Sequence, residues 1–380
     1  MVEAITHVGD IAKEDWDLLA NPPGQPFNPL VSHDFFRALE QSGAATPKTG
    51  WAGRHLVLRD ASGALTGLAP CYRKSHSYGE YVFDHAWADA FERAGGRYYP
   101  KLQASIPFTP VTGPRLFAAT PENRRALAEG LVAQCGVDRA SSVHITFMPA
   151  ADALALQGDK YLLRTDIQFH WHNGGFQTFG EFLASLSSAK RKNIRKERDA
   201  VARAGISFDL LTGRDIREVH WDAFYEFYMD TGSRKWGQPY LNRRFFGLIG
   251  ETMADHILLV IARRNGRMIA GALNFIGSEA LYGRNWGTLE HHQFLHFETC
   301  YYQAIEFAIA RRLARVEAGA QGGHKLARGY LPEKTYSLHY LAHPGLARAV
   351  ADYLAAERRG VENEREVLAA HSPFRQDPDD

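Results

Sequence analysis

Residues 257–277 read ILLVIARRNGRMIAGALNFIG, two apolar runs joined by Asn265-Gly266. That pair suits the two positive-φ positions of a tight I′ hairpin turn. The run Ala280–Trp286 predicts a third strand, Phe294–Leu313 a helix and Arg315–Ala318 a short strand. The first half repeats this order. His55–Arg59 and Ala64–Tyr72 flank the turn residues Asp60–Gly63, Pro121–Cys135 has helical spacing, and Ser142–Met148 (SVHITFM) alternates as a strand. The repetition predicts an α/β fold of two tandem modules, each a mixed, mostly antiparallel sheet flanked by helices. The first is expected over residues 1–160, and the second over 161–380 with a helical tail at Ala347–His371.

A length of 380 residues exceeds what one hydrophobic core normally covers, which agrees with two modules. Lys and Arg total 44 against 43 Asp and Glu, so the whole molecule carries no net attraction for nucleic acid and DNA is not expected as a partner. Cys71, Cys135 and Cys300 are odd in number and far apart, which argues against a disulfide framework or structural zinc and for a reducing cytoplasm. The first twenty residues lack the apolar core of a signal peptide, and no stretch reaches the length of a membrane helix.

Against this balance, Ser187–Arg203 (SSAKRKNIRKERDAVAR) concentrates cations. At helical spacing Leu183, Leu186, Ile194 and Val201 fall on one side, with Arg191, Arg195 and Arg198 on one flanking row and Lys192, Lys196 and Arg203 on another; Lys190, Arg191, Lys192, Arg195 and Lys196 are the candidate phosphate contacts. A solvated helix face is the ordinary explanation of such a run. The alternative is capture of a phosphate-bearing partner, assisted by Ser187 or Ser188 as N-cap.

The second hairpin, LYGRNWG (281–287), the aromatic helix FLHFETCYYQAIEFAIARRL (294–313), the segment VEAGAQGGHKLARGYLP (316–332) and the basic SAKRKNIRKER segment together resemble the FemAB-like branch of N-acyltransferases. That branch lies in the GNAT superfamily, and its members are similar to Fem-type aminoacyltransferases in carrying two GNAT-like modules. The resemblance implies transfer of an acyl or aminoacyl group to a small-molecule or peptide amine. The donor would be aminoacyl-tRNA or an acyl-CoA or carrier thioester, used as co-substrate with no tightly bound cofactor. Two departures stand out: TLEHHQF (288–294) lacks the glycines of a pyrophosphate loop, and no coiled-coil arm is present. A non-catalytic GNAT scaffold binding RNA or a phosphorylated precursor is the alternative of another class.

Acyl transfer to nitrogen needs a proton acceptor for the amine and donors for the developing oxyanion. Glu317 is the candidate base or amine-orienting group, with Gln321 as polar positioner and Tyr282 beside them. His324, Lys325 and Arg328 supply cations for a phosphate or carboxylate. Alternation places Tyr282 and Arg284 on one strand face and Asn285 on the other; Arg284 could hold a carboxylate or join a structural ion pair. Glu298 fits either a helix-start carboxylate or a substrate contact. His292 and His296 sit at i and i+4, with His291 adjoining, but the glutamate of an HExxH motif is missing and no third ligand is evident in sequence, so no metal is expected. His170 and His172 read as structural.

Overall fold

A computed structural model describes residues 2–158, 160–236, 239–320 and 322–375. The chain forms two units: Met1–Gln25, Leu30–Ile167 and Lys334–Asn363 make the first, and Pro26–Pro29, Gln168–Glu333 and Glu364–Asp380 the second. Among the described residues the strands in chain order are β1 (Val2–Ile5), β2 (Trp51–Gly53), β3 (His55–Arg59), β4 (Leu65–Ala69), β5 (Cys71–Lys74), β6 (Lys101–Ala104), β7 (Ser142–Met148), β8 (Leu162–His172), β9 (Ile206–Thr212), β10 (Ile257–Arg264), β11 (Arg267–Ile276), β12 (Ala280–Thr288), β13 (Arg315–Glu317) and β14 (Tyr330–Leu341).

In the first unit the main sheet runs β2-β5-β6-β7-β14, beside a small antiparallel sheet β1-β3-β4. Among the described residues of this unit, only β6 and β7 pair in parallel. Parallel neighbours need a crossover, and the helix Pro121–Val137 supplies it. It buries Leu127, Ala128, Leu131 and Cys135 against Leu102, Ala104, Val143 and Ile145 of the sheet. Thr120 caps its start by accepting from the Asn123 amide.

The second unit has the order β8-β13-β12-β11-β10-β9. Again one pair is parallel, β12 with β13, and the segment Leu295–Ala310 makes the crossover. Asn265 (φ 50°) and Gly266 (φ 76°) form the expected turn between β10 and β11. The register makes the repetition concrete. His339, His144, Gln103 and Tyr72 sit opposite one another across β14-β7-β6-β5. His170, Glu317, Tyr282 and Phe275 do so across β8-β13-β12-β11.

Three local departures from the sequence expectation matter. The basic region is broken at Leu186, where the helices Phe179–Ser185 and Ser188–Arg203 meet: Leu186 forms a β-bridge with Phe374, and the Ser187 amide donates to the Pro373 carbonyl (2.9 Å). Phe294–Leu313 is not one α-helix but a short turn, a π-helical turn at Glu298–Tyr302 and the helix Gln303–Ala310. The strand expected at Ala64–Tyr72 is interrupted at Pro70, which lacks a ladder donor.

The helix Glu218–Trp236 covers β12 so closely that a Cβ on Gly287 would lie 2.2 Å from the Phe227 backbone. Gly287→Ala is therefore expected to destabilise the second unit by about 1–3 kcal/mol, read as a lower midpoint in urea unfolding. An unchanged midpoint would mean that the helix shifts without cost.

Candidate active site

Glu317 is 3% exposed, at the end of β13. Cross-strand partners share a sheet face, so His170, Glu317 and Tyr282 form a row on one side. Arg315, two residues earlier and on the same face, donates from Nε to Glu317 Oε1 at 2.9 Å. The other oxygen, Oε2, is buried with no hydrogen-bond partner among the described residues. His170 Nε2 stands 4.0 Å from it and bonds Gln168 Oε1 at 3.3 Å. Burial pushes the His170 pKa below its ordinary value, although the Glu317 charge works the other way. A neutral imidazole thus lies beside a carboxylate that has one oxygen held and one vacant for a donor. Burial, followed by the Glu317 charge, raises the Tyr282 pKa, so its phenol stays protonated.

The register of β11 and β12 shifts at Leu273/Asn274, with Leu273 opposite Asn285 and Asn274 opposite Gly283. Arg284 is the extra residue of a bulge. The expected alternation is therefore corrected: Tyr282 and Asn285 share a face, since Phe275 and Leu273 opposite them are two apart. Beyond Tyr282, β12 runs on to Thr288 while β13 ends at Glu317, so the parallel pair covers only Ala280–Tyr282.

At the far end of β12 a cleft of about 260 Å³ is lined by Thr231, Arg234, Trp286, Thr288, Glu290, His291, His292, Leu295 and His296. Several of its polar groups answer one another. Arg234 donates to His291 Nε2 (2.6 Å) and to the Thr288 carbonyl (3.0 Å), and His292 bonds Glu290 (2.7 Å). Among the described residues no group of three His, Cys, Asp or Glu side chains is arranged to hold a metal ion.

The basic helix Ser188–Arg203 buries Ile194 and Val201, the latter in a cluster with Trp286. Trp286, Val316 and Trp171 belong to the sheet face opposite Glu317, which places the helix there too. The single corner expected from sequence is thus divided: Glu317 and Tyr282 lie on one face, the basic helix and the 323–328 turn on the other. Helix and turn do meet. Glu197 accepts from Arg328 Nη2 (2.7 Å) and from the Tyr302 hydroxyl.

Arg198 also points inward, with forked bonds to Glu298 (3.0–3.2 Å) and Glu306 (2.9 Å), its guanidinium 4.5 Å from the Phe179 ring. Glu298, buried and further bonded by Gln303 (2.7 Å), is thereby committed to a structural pair. Lys192, Arg195 and Lys196 are exposed and Lys190 and Arg191 half-buried; among the described residues none of the five has a side-chain partner.

His324 bonds the Tyr301 hydroxyl (2.9 Å), and Arg328 stacks 3.4 Å from the Phe297 ring centre. Lys325 is 2% exposed, and its ammonium donates to the Gly319 carbonyl at 3.0 Å. Burial pushes its pKa down to about 8. Gln321 lies outside the described residues. Sequence reasoning took His170 as structural, because only the pairing of β8 with β13 brings it to Glu317, and passed over Arg315, which lies two residues before Glu317 on the same strand face.

The family described as FemAB-like, peptidoglycan biosynthesis/recognition, matches residues 7–376. A search of curated protein sequences gave no significant match. Among solved structures, FemX superposes with a TM-score of 0.56 at 12% identity, covering 90% of this chain and 98% of its own. The C-terminal domain of a putative lysylphosphatidylglycerol synthetase from Agrobacterium fabrum gives 0.54 at 9% identity, over 90% of this chain and 96% of that one. L-PGS from Bacillus licheniformis gives 0.52 at 8% identity, over 93% and 99%. At these identities the likeness concerns the fold. No helix among the described residues is long and apolar enough to cross a membrane.

Proposed function

Because the chain belongs to the FemAB-like family, whose fold is a tandem of GNAT-like modules, we propose that it is an N-acyltransferase moving an acyl or aminoacyl group from a phosphate-bearing carrier to an amine. The observation that carries this reading is Glu317, a buried carboxylate with one oxygen fixed by Arg315 and the other without a donor among the described residues. A buried acceptor of that kind is costly unless a ligand N–H completes it. An amine seated there gives its proton to Oε2 as nitrogen attacks the carbonyl carbon of the donor ester or thioester. Collapse of the tetrahedral intermediate breaks the bond to the carrier, whose oxygen or sulfur leaves and takes up a proton. Neutral His170 keeps a second positive charge away from the amine, and Arg315 fixes the carboxylate's orientation.

The outward cations of the basic helix, Lys190, Arg191, Lys192, Arg195 and Lys196, draw the carrier; because they lie on the sheet face opposite Glu317, its acyl end has to pass the short end of β13 to reach the carboxylate. Their number sets the test. If RNA phosphates engage all five, apparent affinity falls by roughly 10²–10³ between 50 and 200 mM salt. An acyl thioester, with fewer charges, gives a flatter dependence. Transfer from charged tRNA and from acyl-CoA to a panel of amines, followed by mass spectrometry across that salt range, distinguishes the donors. No transfer from either donor to any amine would count against the reading.

A further inference from the structure

The Arg315 guanidinium is shared by two carboxylates. Its Nε donates to Glu317 Oε1 at 2.9 Å, and its Nη1 lies 3.7 Å from Glu279 Oε2, beyond hydrogen-bond range. Glu279 sits in the turn between β11 and β12, where its backbone carbonyl accepts from the amides of Ala314 (2.7 Å) and Arg315 (3.2 Å). These bonds hold the turn against the start of β13 and fix the half-exposed Glu279 side chain beside the guanidinium. Neither Glu317 Oε2 nor either carboxylate oxygen of Glu279 has a hydrogen-bond donor among the described residues. No other Lys or Arg among them pairs with these two acids. His170, next to Glu317, is kept neutral by burial, and His172 is engaged with Glu333 at 2.8 Å. Two carboxylates thus face one permanent cation, and a single planar guanidinium that reaches both keeps them within about 10 Å of each other.

We propose that this corner selects an acceptor amine that carries a second cationic group a few carbons from the reacting nitrogen, a terminal diamine being the simplest: Glu317 Oε2 receives the reacting amine and Glu279 the other ammonium. The inference rests on the transfer reaction proposed above and specifies its acceptor. Charge decides the class. A lone amine satisfies Glu317 and leaves Glu279 without a donor, and an acceptor with a carboxylate at its far end is repelled by Glu279, whereas a second ammonium supplies the missing positive charge. A terminal diamine of about four or five carbons has the length to place one nitrogen on each carboxylate. The held ammonium, together with Arg315, also favours the neutral form of the reacting nitrogen. That nitrogen forms the new amide bond and passes its proton to Glu317, while the second ammonium keeps its protons and leaves with the product.

The test is calorimetric titration of the full chain with diaminobutane (both amines terminal), butylamine and aminobutanoic acid. Diaminobutane is expected to bind about three- to tenfold more tightly than butylamine, as suits one half-exposed, charge-assisted hydrogen bond, and aminobutanoic acid more weakly than either. Glu279→Gln should erase the difference while the thermal midpoint holds, since the backbone carbonyl that fixes the turn is untouched; Glu279→Asp should keep part of it. In turnover, the Glu279→Gln loss should appear in KM for the diamine, with kcat little changed. Equal affinity for diamine and monoamine, or a preference that survives Glu279→Gln, overturns the inference. The expected binding preference without transfer from any donor would remove the reaction and keep the site. Transfer to monoamines with no diamine preference in binding or KM would keep the reaction and remove this inference alone.

Discussion

Glu317→Gln is expected to lower kcat by about 10²–10⁴-fold, the usual contribution of a positioned proton acceptor, with KM nearly unchanged. The exchange preserves shape. The amide oxygen can still accept from Arg315, which leaves an N–H₂ group where Oε2 had been an acceptor. An incoming amine then meets a donor and has no group to receive its proton. The exchange also removes the charge that pairs with Arg315, which keeps the amide oxygen as an acceptor and has Glu279 3.7 Å away, so a thermal midpoint recorded beside kcat reports any cost to the fold. This combination separates chemistry from structure. Single-turnover transfer measured beside ligand affinity decides it: lost turnover with retained affinity supports the catalytic role, while parallel loss of both, or of neither, sinks it. His170→Asn should be milder, since the imidazole stands 4.0 Å from the carboxylate and shapes its surroundings without receiving the proton in the proposed step.

The elements that were legible in the sequence were those written locally. Asn265-Gly266 specified its hairpin, and the Ile194/Val201 stripe identified the inward side of the basic helix. The repeated order of elements implied the doubled fold, because each module needs the same crossover to make its parallel pair. What escaped depends on non-local pairing or on a one-residue insertion. A bulge at Arg284 reverses the facing of every residue beyond it while leaving the alternating letters unchanged. Arg198 looked like part of the cationic surface because Glu298 and Glu306, its partners, are about a hundred residues away in the chain. Lys325 was read as a cation for a phosphate or carboxylate, and composition gave no sign that its ammonium is buried against the Gly319 carbonyl. Glu317 was visible as a carboxylate at a strand end, but the sheet face it occupies follows only from the registers of β8, β12 and β13.

Lys101→Met is expected to destabilise the first unit by about 3–5 kcal/mol, the cost of removing one partner from a buried ionic network. Lys101 is fully buried, and its ammonium donates to Ser77 Oγ (2.7 Å), Glu80 (2.6 Å) and Asp84. Lys74 lies 3.6 Å from Glu80 and 3.5 Å from the Trp51 ring centre; burial pushes its pKa down to about 7, so it compensates poorly for a lost cation. Burial opposes the Asp84 charge, yet Lys101 and then His144 hold its carboxyl well below the usual range. Asp84 therefore contributes stability that is complete above its unfolded pKa of about 3.9 and is lost as pH falls toward the depressed folded value. Without Lys101, Glu80 and Asp84 would stay buried with too little positive charge, and the loop they anchor, which carries Tyr78 and Phe83, would lose its hold on β5 and β6. For a unit of this size the penalty corresponds to a midpoint lower by roughly 6–20 °C, visible in the fluorescence of Trp51 and Trp87. Adding Glu80→Gln and Asp84→Asn to Lys101→Met should recover part of the loss, since the triple variant strands no carboxylate. If the triple variant is instead less stable than the single one, the network acts through its hydrogen-bond geometry rather than through its charge balance.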